Sequence, residues 1–160
     1  MILLPGIVLP AGLAYGDLIA ALGSDVDAVA KDLEVYAAPE PPDDYGLEVE
    51  VAGVLGEAGE RGWDRFHLVG YSGGGAAALV FAAAQPERLA SLALLEPAWA
   101  GTWDLSPAER AAWLEYERLR GLPDDQLMRD FVRFGLRAGV PVPSPPPGEP
   151  PPWMATRPAG

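Results

Sequence analysis

The chain has 160 residues, enough for one domain with a real core, and its 23 acidic against 11 basic residues give a net charge of −12. Without basic patches, that balance argues against a nucleic-acid partner, and the acidic surface is mainly a solubility property. The absence of cysteine excludes a thiol nucleophile, a thiolate metal site and disulfide cross-links, and fits a reducing compartment.

Ile2 to Leu4 reads as a short buried strand ended by Pro5-Gly6. This apolar start carries no basic region of the kind a secretion signal needs, so a cytoplasmic location is expected. Leu13 to Leu22 has the apolar spacing of a helix, at Leu13, Leu18, Ile19 and Leu22, with Gly23 closing it. Val26 to Leu33 reads as a second strand, followed by an acidic, proline-rich loop from Pro39 to Asp44. Leu47 to Glu60 is amphipathic, with Leu47, Val51, Val54 and Leu55 on the inward face.

Phe66 to Ala84 is long and uncharged enough to resemble a membrane span on hydropathy alone. Gly70, Gly73, Gly74 and Gly75 sit together in its middle, and strand, turn and helix is the better reading; no membrane partner is expected. The strand is Phe66 to Tyr71 and the helix Gly73 to Ala84, joined through Gly70-Tyr71-Ser72-Gly73-Gly74. A serine at a strand-to-helix joint, with Gly70 two before and Gly74 two after, fits a nucleophile elbow. Such a turn strains the serine backbone, and its flanks must be small so that strand and helix can approach. The helix N-terminus beneath supplies N–H groups and a positive dipole end, both useful to an oxyanion. A phosphate cradle is disfavoured, because no lysine follows these glycines and there is no G-x-G-x-x-G spacing.

Pro86-Glu87-Arg88 is a short link to a further strand, Leu89 to Leu95. Alternation of this kind predicts a parallel sheet of about four strands with flanking helices. After Pro97 the pattern changes. Ser106-Pro107-Ala108-Glu109 is a capping box that opens a helix carrying Trp113, Leu114, Tyr116 and Leu119, to about Arg120. A second helix near Asp124 to Leu136 carries Leu127, Met128, Phe131, Val132 and Phe134. Helix–helix packing and the lining of an apolar pocket are both open for Trp113, Tyr116, Phe131 and Phe134. Pro141 to Pro152 is a proline-dominated, extended coil.

Phe66 to Gly74 resembles the fifth strand and elbow of the α/β-hydrolase family, of the serine-nucleophile type. Pro86 to Pro97 is similar to the segment leading through its sixth strand. Leu3-Leu4-Pro5-Gly6-Ile7 resembles the third strand and oxyanion turn, with Pro5 where a histidine is common, and Ala30-Lys31-Asp32-Leu33 the end of the fourth strand. The match covers about the first hundred residues. It implies a partial α/β-hydrolase core over residues 1–100, the start of a helical lid over 101–138 and a Pro-rich coil over 139–160. It also implies the spatial strand order four-three-five-six, with the site where the winding reverses, beyond the carboxyl ends of the strands closing at Gly6 and Tyr71.

By the same resemblance Ser72 would be the nucleophile, with the backbone N–H groups of Gly73 and Ile7 as oxyanion donors and Gly70 and Gly74 as the elbow glycines. Tyr71, Trp99 and Trp103 would line the substrate pocket, and neither cofactor nor metal is implied. The family's base is a histidine after the last strand. The single histidine here, His67, lies five residues before Ser72 on the same strand, roughly 16 Å away at about 3.3 Å per residue, and is expected to be a buried, hydrogen-bonded strand residue. Glu96 stands where some members place their acid, and lining the pocket or capping the strand is its competing role. Asp104, Asp124 and Asp125 read as turn and helix-start residues.

The expected chain is therefore about two-thirds of a hydrolase core with the lid cut in its middle. Its expected activity is hydrolysis of a small-molecule ester or related acyl substrate, weak or absent in this chain. The alternative is a non-catalytic hydrolase-like binding or interaction module, or a decayed gene product. The strand Leu89 to Leu95, apolar yet at a sheet edge, is expected to favour self-association.

Overall fold

The computed structural model describes residues 1–37, 45–98, 105–119 and 122–142, with residues 144, 148, 149 and 152 beyond them. Strands β1 (Ile2–Leu4), β2 (Val29–Ala30), β3 (Phe66–Tyr71) and β4 (Leu89–Leu95) are all parallel and pair in the order β2-β1-β3-β4. This is the order implied by the family resemblance. From the central pair β1 and β3 the chain steps outward both ways, so the carboxyl ends of β1 and β3 bound a reversal of winding.

Three helices accompany the sheet: α1 (Ala11–Leu22), α2 (Leu47–Glu60) and α3 (Gly73–Ala84). The core lies between the sheet and the pair α2 and α3. Ile2 and Leu4 of β1, Phe66 and Leu68 of β3, Val54 and Ala58 of α2, and Ala77 and Phe81 of α3 are buried there. The rings of Phe66 and Phe81 meet at 5.5 Å with planes tilted by 56°, a favourable edge-biased geometry. Leu47, Val51 and Leu55 of α2 pack against the same core, as the spacing predicts. On the opposite face, Leu3 is covered by α1, and the buried Tyr15 hydroxyl donates to the Leu4 carbonyl at 3.0 Å.

Three details differ from the sequence reading. Helix α1 begins at Ala11, two residues before the expected Leu13, because the Asp32 carboxylate accepts the Ala11 N–H at 3.0 Å and satisfies the first turn from outside. It buries Ala11 and Tyr15, while Leu13 is 61 % exposed and Leu18 also faces outward. With Ala11 and Tyr15, one turn apart, on the inward face and the Tyr15 hydroxyl on the Leu4 carbonyl, the leucines turn away. Strand β2 is only Val29–Ala30, not Val26 to Leu33. The Lys31 N–H still donates to the Leu3 carbonyl at 3.0 Å, but the chain then winds into one 3-10 turn over Glu34–Tyr36, whose amides find a side-chain acceptor.

The third concerns His67, which is exposed, not buried. Along β3, Phe66, Leu68 and Gly70 point to the α2–α3 core, and His67 and Tyr71 take the other face, where α1 covers mainly β1 and β2. His67 is hydrogen-bonded as expected: its Nδ1 lies 2.7 Å from Ser91 Oγ on the paired strand β4.

The chain divides into two compact units, with Met1–Ala100 in the first and Gly101–Pro152 in the second. The second holds α4 (Pro107–Leu119) and α5 (Asp124–Gly135), which pack on one another. The capping box before α4 is formed: Glu109 N–H donates to Ser106 Oγ at 3.3 Å and Ser106 N–H to Glu109 Oε2 at 2.8 Å. These bonds hold the Glu109 carboxyl below its ordinary value of 4.5. A carboxyl whose folded value is depressed contributes in its ionised form, so its support of α4 is complete above pH 4.5 and lost as pH falls through the lowered value. Acid titration followed by helical circular dichroism should show that loss, and Ser106→Ala should remove it. The side chains of Trp113, Tyr116, Asp124, Asp125, Met128 and Phe134, and residues 39–44 and 104, lie outside the described residues.

Candidate active site

At the end of β3 the chain turns through Ser72 with φ 50° and ψ −116°, in the left-handed half of the map that residues with a Cβ avoid. Such a residue carries about 1–3 kcal/mol of strain, and here the surroundings fix it. Its N–H donates to the Leu95 carbonyl at 3.0 Å. Its carbonyl accepts from Gly75, Ala76 and Ala98 at 2.9, 3.1 and 2.9 Å. The turn is thus bound on one side into α3 and on the other into the end of β4.

The glycines explain how strand and helix come together. A Cβ on Gly70 would lie 2.8 Å from the Gly74 carbonyl carbon and from Gly75 Cα. One on Gly74 would lie 2.6 Å from the Leu4 carbonyl oxygen, and the Gly74 N–H donates to the Pro5 carbonyl at 3.0 Å. One on Gly75 would meet Pro97 at 2.8 Å. Each contact is closer than real Cβ atoms tolerate, and each is with backbone or a rigid ring.

The same crowding gathers the residues expected around Ser72. A Cβ on Gly6 would lie 3.2 Å from Ser72 Cβ and from the Tyr71 ring. One on Gly73 would lie 2.8 Å from Ile7 Cγ2 and 3.8 Å from the Ile7 nitrogen. Gly6, Ile7, Tyr71, Ser72 and Gly73 therefore converge at the carboxyl ends of β1 and β3. Among the described residues, neither the Ile7 nor the Gly73 N–H donates to a protein acceptor. Ile7 is 39 % and Tyr71 43 % exposed, so the rim beside Ser72 is accessible and largely apolar.

Similarity to solved structures was found at this level of fold. A hydrolase from Pseudomonas aeruginosa superposes with a TM-score of 0.60 at 21 % identity, over 81 % of this chain and 48 % of that one. The 2-hydroxy-6-oxo-6-phenylhexa-2,4-dienoate hydrolase of a Rhodococcus strain gives 0.58 at 25 %, over 82 % and 48 %. A serine hydrolase from the polyaromatic hydrocarbon-degrading bacterium Cycloclasticus zankles gives 0.56 at 18 %, over 82 % and 47 %. The fold is that of the α/β-hydrolases. The chain spans about half the length of the hydrolases it matches. No family model and no curated protein matches it by sequence.

Within the hydrolase fold, Glu96 follows β4 with φ 45°, the other non-glycine residue at positive φ among those described, and its side chain is exposed. Its backbone turn brings Ala98 back onto the Ser72 carbonyl. Trp99 and Trp103 lie outside the described residues. Among the described residues no helix is long and apolar enough to cross a membrane, and no group of three or more His, Asp and Glu residues could hold a metal.

Two residues near the site escaped the sequence reading. Tyr36 ends the 3-10 turn and donates its hydroxyl to the Ile7 carbonyl at 2.5 Å. Glu50 of α2 is 2 % exposed, and its carboxylate accepts from Glu34 N–H at 2.8 Å, Val35 N–H at 3.1 Å and the Tyr45 hydroxyl at 2.6 Å. One signal for Glu50 was available: it lies three after Leu47 and four before Val54, on the apolar stripe.

Proposed function

We propose that this chain carries the nucleophile and oxyanion half of a serine hydrolase acting on an ester or related acyl substrate. The observation that carries the reading is the φ 50° turn at Ser72, at a reversal of winding and beside two N–H groups, of Ile7 and Gly73, that have no protein acceptor among the described residues. Ser72 Oγ attacks the acyl carbon, and the carbonyl oxygen becomes an oxyanion between the Ile7 and Gly73 N–H groups. Each such donor is worth roughly 3 kcal/mol of barrier. The half-exposed Ile7 and Tyr71 side chains suit an apolar or aromatic acyl group.

Attack also needs a base to take the Ser72 proton. His67 is the single histidine of the sequence; it sits on β3 and is engaged by Ser91 on β4. That engagement is what favours the second reading, a binding module that kept the elbow without turnover. Oxyanion donors alone leave an acceleration of about 10³–10⁴ over water, so turnover of p-nitrophenyl acetate by this chain should be feeble. Ser72→Ala should abolish it, and a fluorophosphonate should label the wild-type chain at Ser72 alone. Vigorous turnover lost in Ser72→Ala would reveal another base. Equal labelling of both chains would remove Ser72 from the chemistry.

A further inference from the structure

We propose that Tyr36 is a positioning residue for the Ile7 donor and that the buried carboxylate of Glu50 locks it in place, an inference that rests on the roles given above to Ser72 and Ile7. A donor that stabilises a tetrahedral oxyanion must be held in position before the charge develops. Ile7 stands in an exposed segment between β1 and α1, outside any regular element, so nothing in its own backbone pairing holds it.

Two contacts hold it instead. On the N-terminal side, Gly6 is crowded by Ser72 and the Tyr71 ring, so closely that an added Cβ would lie 3.2 Å from both. On the C-terminal side, the Tyr36 hydroxyl bonds the Ile7 carbonyl at 2.5 Å. The peptide plane after Ile7 is thereby tied to Tyr36, and crowding at Gly6 confines the plane that carries the Ile7 N–H, which limits rotation of that N–H.

Tyr36 needs an anchor of its own, because a single 3-10 turn is too short to stand alone. Glu50 supplies it by accepting the N–H groups of Glu34 and Val35, the first two residues of that turn. The Glu34 side chain lies against Gly53 of α2 and pairs with Lys31 at 2.5 Å, and Val35 and Tyr36 pack on the core. The Tyr45 hydroxyl completes the carboxylate's shell, and burial with that bond raises the phenol far above its ordinary value of 10, so it remains a donor. A continuous line of contacts runs from the core helix α2, through Glu50 and the turn, to Tyr36 and Ile7. An amphipathic helix alone has no use for a buried carboxylate there; a strut toward the site does.

The test uses the full chain and phenylboronic acid, whose boron becomes tetrahedral when Ser72 Oγ adds to it and the serine proton leaves to solvent. Boron-11 resonance reads the tetrahedral adduct, and N-methylbenzamide serves as a planar ligand of similar size. Tyr36→Phe, which removes only the hydroxyl, should weaken the adduct about tenfold while planar-ligand affinity and the melting midpoint hold, as expected when an oxyanion donor is loosened and not deleted. Ser72→Ala should abolish the adduct. If Tyr36→Phe leaves the adduct at wild-type strength while Ser72→Ala removes it, the strut is wrong and the nucleophile stands. Equal weakening of both ligands would reduce Tyr36 to general support and overturn the positioning role. A tetrahedral signal that survives Ser72→Ala would overturn the reading of Ser72, and the strut with it.

Discussion

Gly74→Ala is expected to abolish cooperative folding of the chain or to lower its stability by about 3 kcal/mol or more, through one added methyl group. The Cβ would stand 2.6 Å from the Leu4 carbonyl oxygen and 2.7 Å from its carbon, and the Pro5 carbonyl is as close. Each of these is backbone, with no flexible side chain to swing aside. Leu4 belongs to β1, which is paired on both sides by β2 and β3 and buried on both faces. To admit the methyl, β1 and α3 must separate, and that breaks the Gly74 N–H bond to Pro5 and tilts Ser72. Against a typical total stability of about 5–15 kcal/mol, such a loss is large. Gly56→Ala on α2 is the control. Nothing lies within 4 Å of a Cβ there, so the change should stabilise the chain by about 0.4–1 kcal/mol through helix propensity. Denaturant midpoints of the two variants should move in opposite directions, and a Gly74→Ala midpoint equal to wild type would mean that no tight elbow forms.

The contrast between these glycines shows what a sequence can carry. Gly74 was readable because it stands two after a serine, between an apolar strand run and an alanine run; adjacency along the chain encodes the close approach. The same local logic gave β3, α3 and β4 their limits, and the family resemblance supplied the strand order. Local pattern failed where a distant residue decides the outcome. Val26 to Leu33 has the composition of a longer strand, yet its last sheet bond is at Lys31, and the chain beyond it is drawn into a 3-10 turn whose Glu34 and Val35 amides bond to Glu50, sixteen residues past Glu34. Leu13 and Leu18 look like the inward face of α1 until Tyr15 finds the Leu4 carbonyl. His67 has apolar neighbours on both sides in sequence, but alternation along β3 puts it on the face that α1 does not cover.

Glu50→Ala is expected to cost about 3 kcal/mol or more, well beyond what loss of an ordinary surface carboxylate would do. Three donors converge on this side chain: two backbone amides at 2.8 and 3.1 Å and the Tyr45 hydroxyl at 2.6 Å. Alanine leaves all three part-buried donors without this acceptor, and each one that water does not reach costs roughly 1–3 kcal/mol. The side chain is 2 % exposed, so water can enter only if α2 and the turn part. The 3-10 turn should loosen first, and Tyr36 with it. Tyr45 provides an independent readout. Its phenol is held above its ordinary value of 10 by burial first and by the Glu50 bond second. A group whose folded value is raised contributes fully below the unfolded value, so this contribution is complete below about pH 10 and fades as pH rises through the raised value. In Glu50→Ala the ultraviolet titration of Tyr45, isolated by difference against a Tyr45→Phe background, should move back toward the ordinary range. Amide exchange at Glu34 and Val35 should speed by at least tenfold, while exchange in the centre of β3 follows only the global loss of stability. Protection at Glu34 and Val35 that survives the substitution would show that the turn stands without its carboxylate.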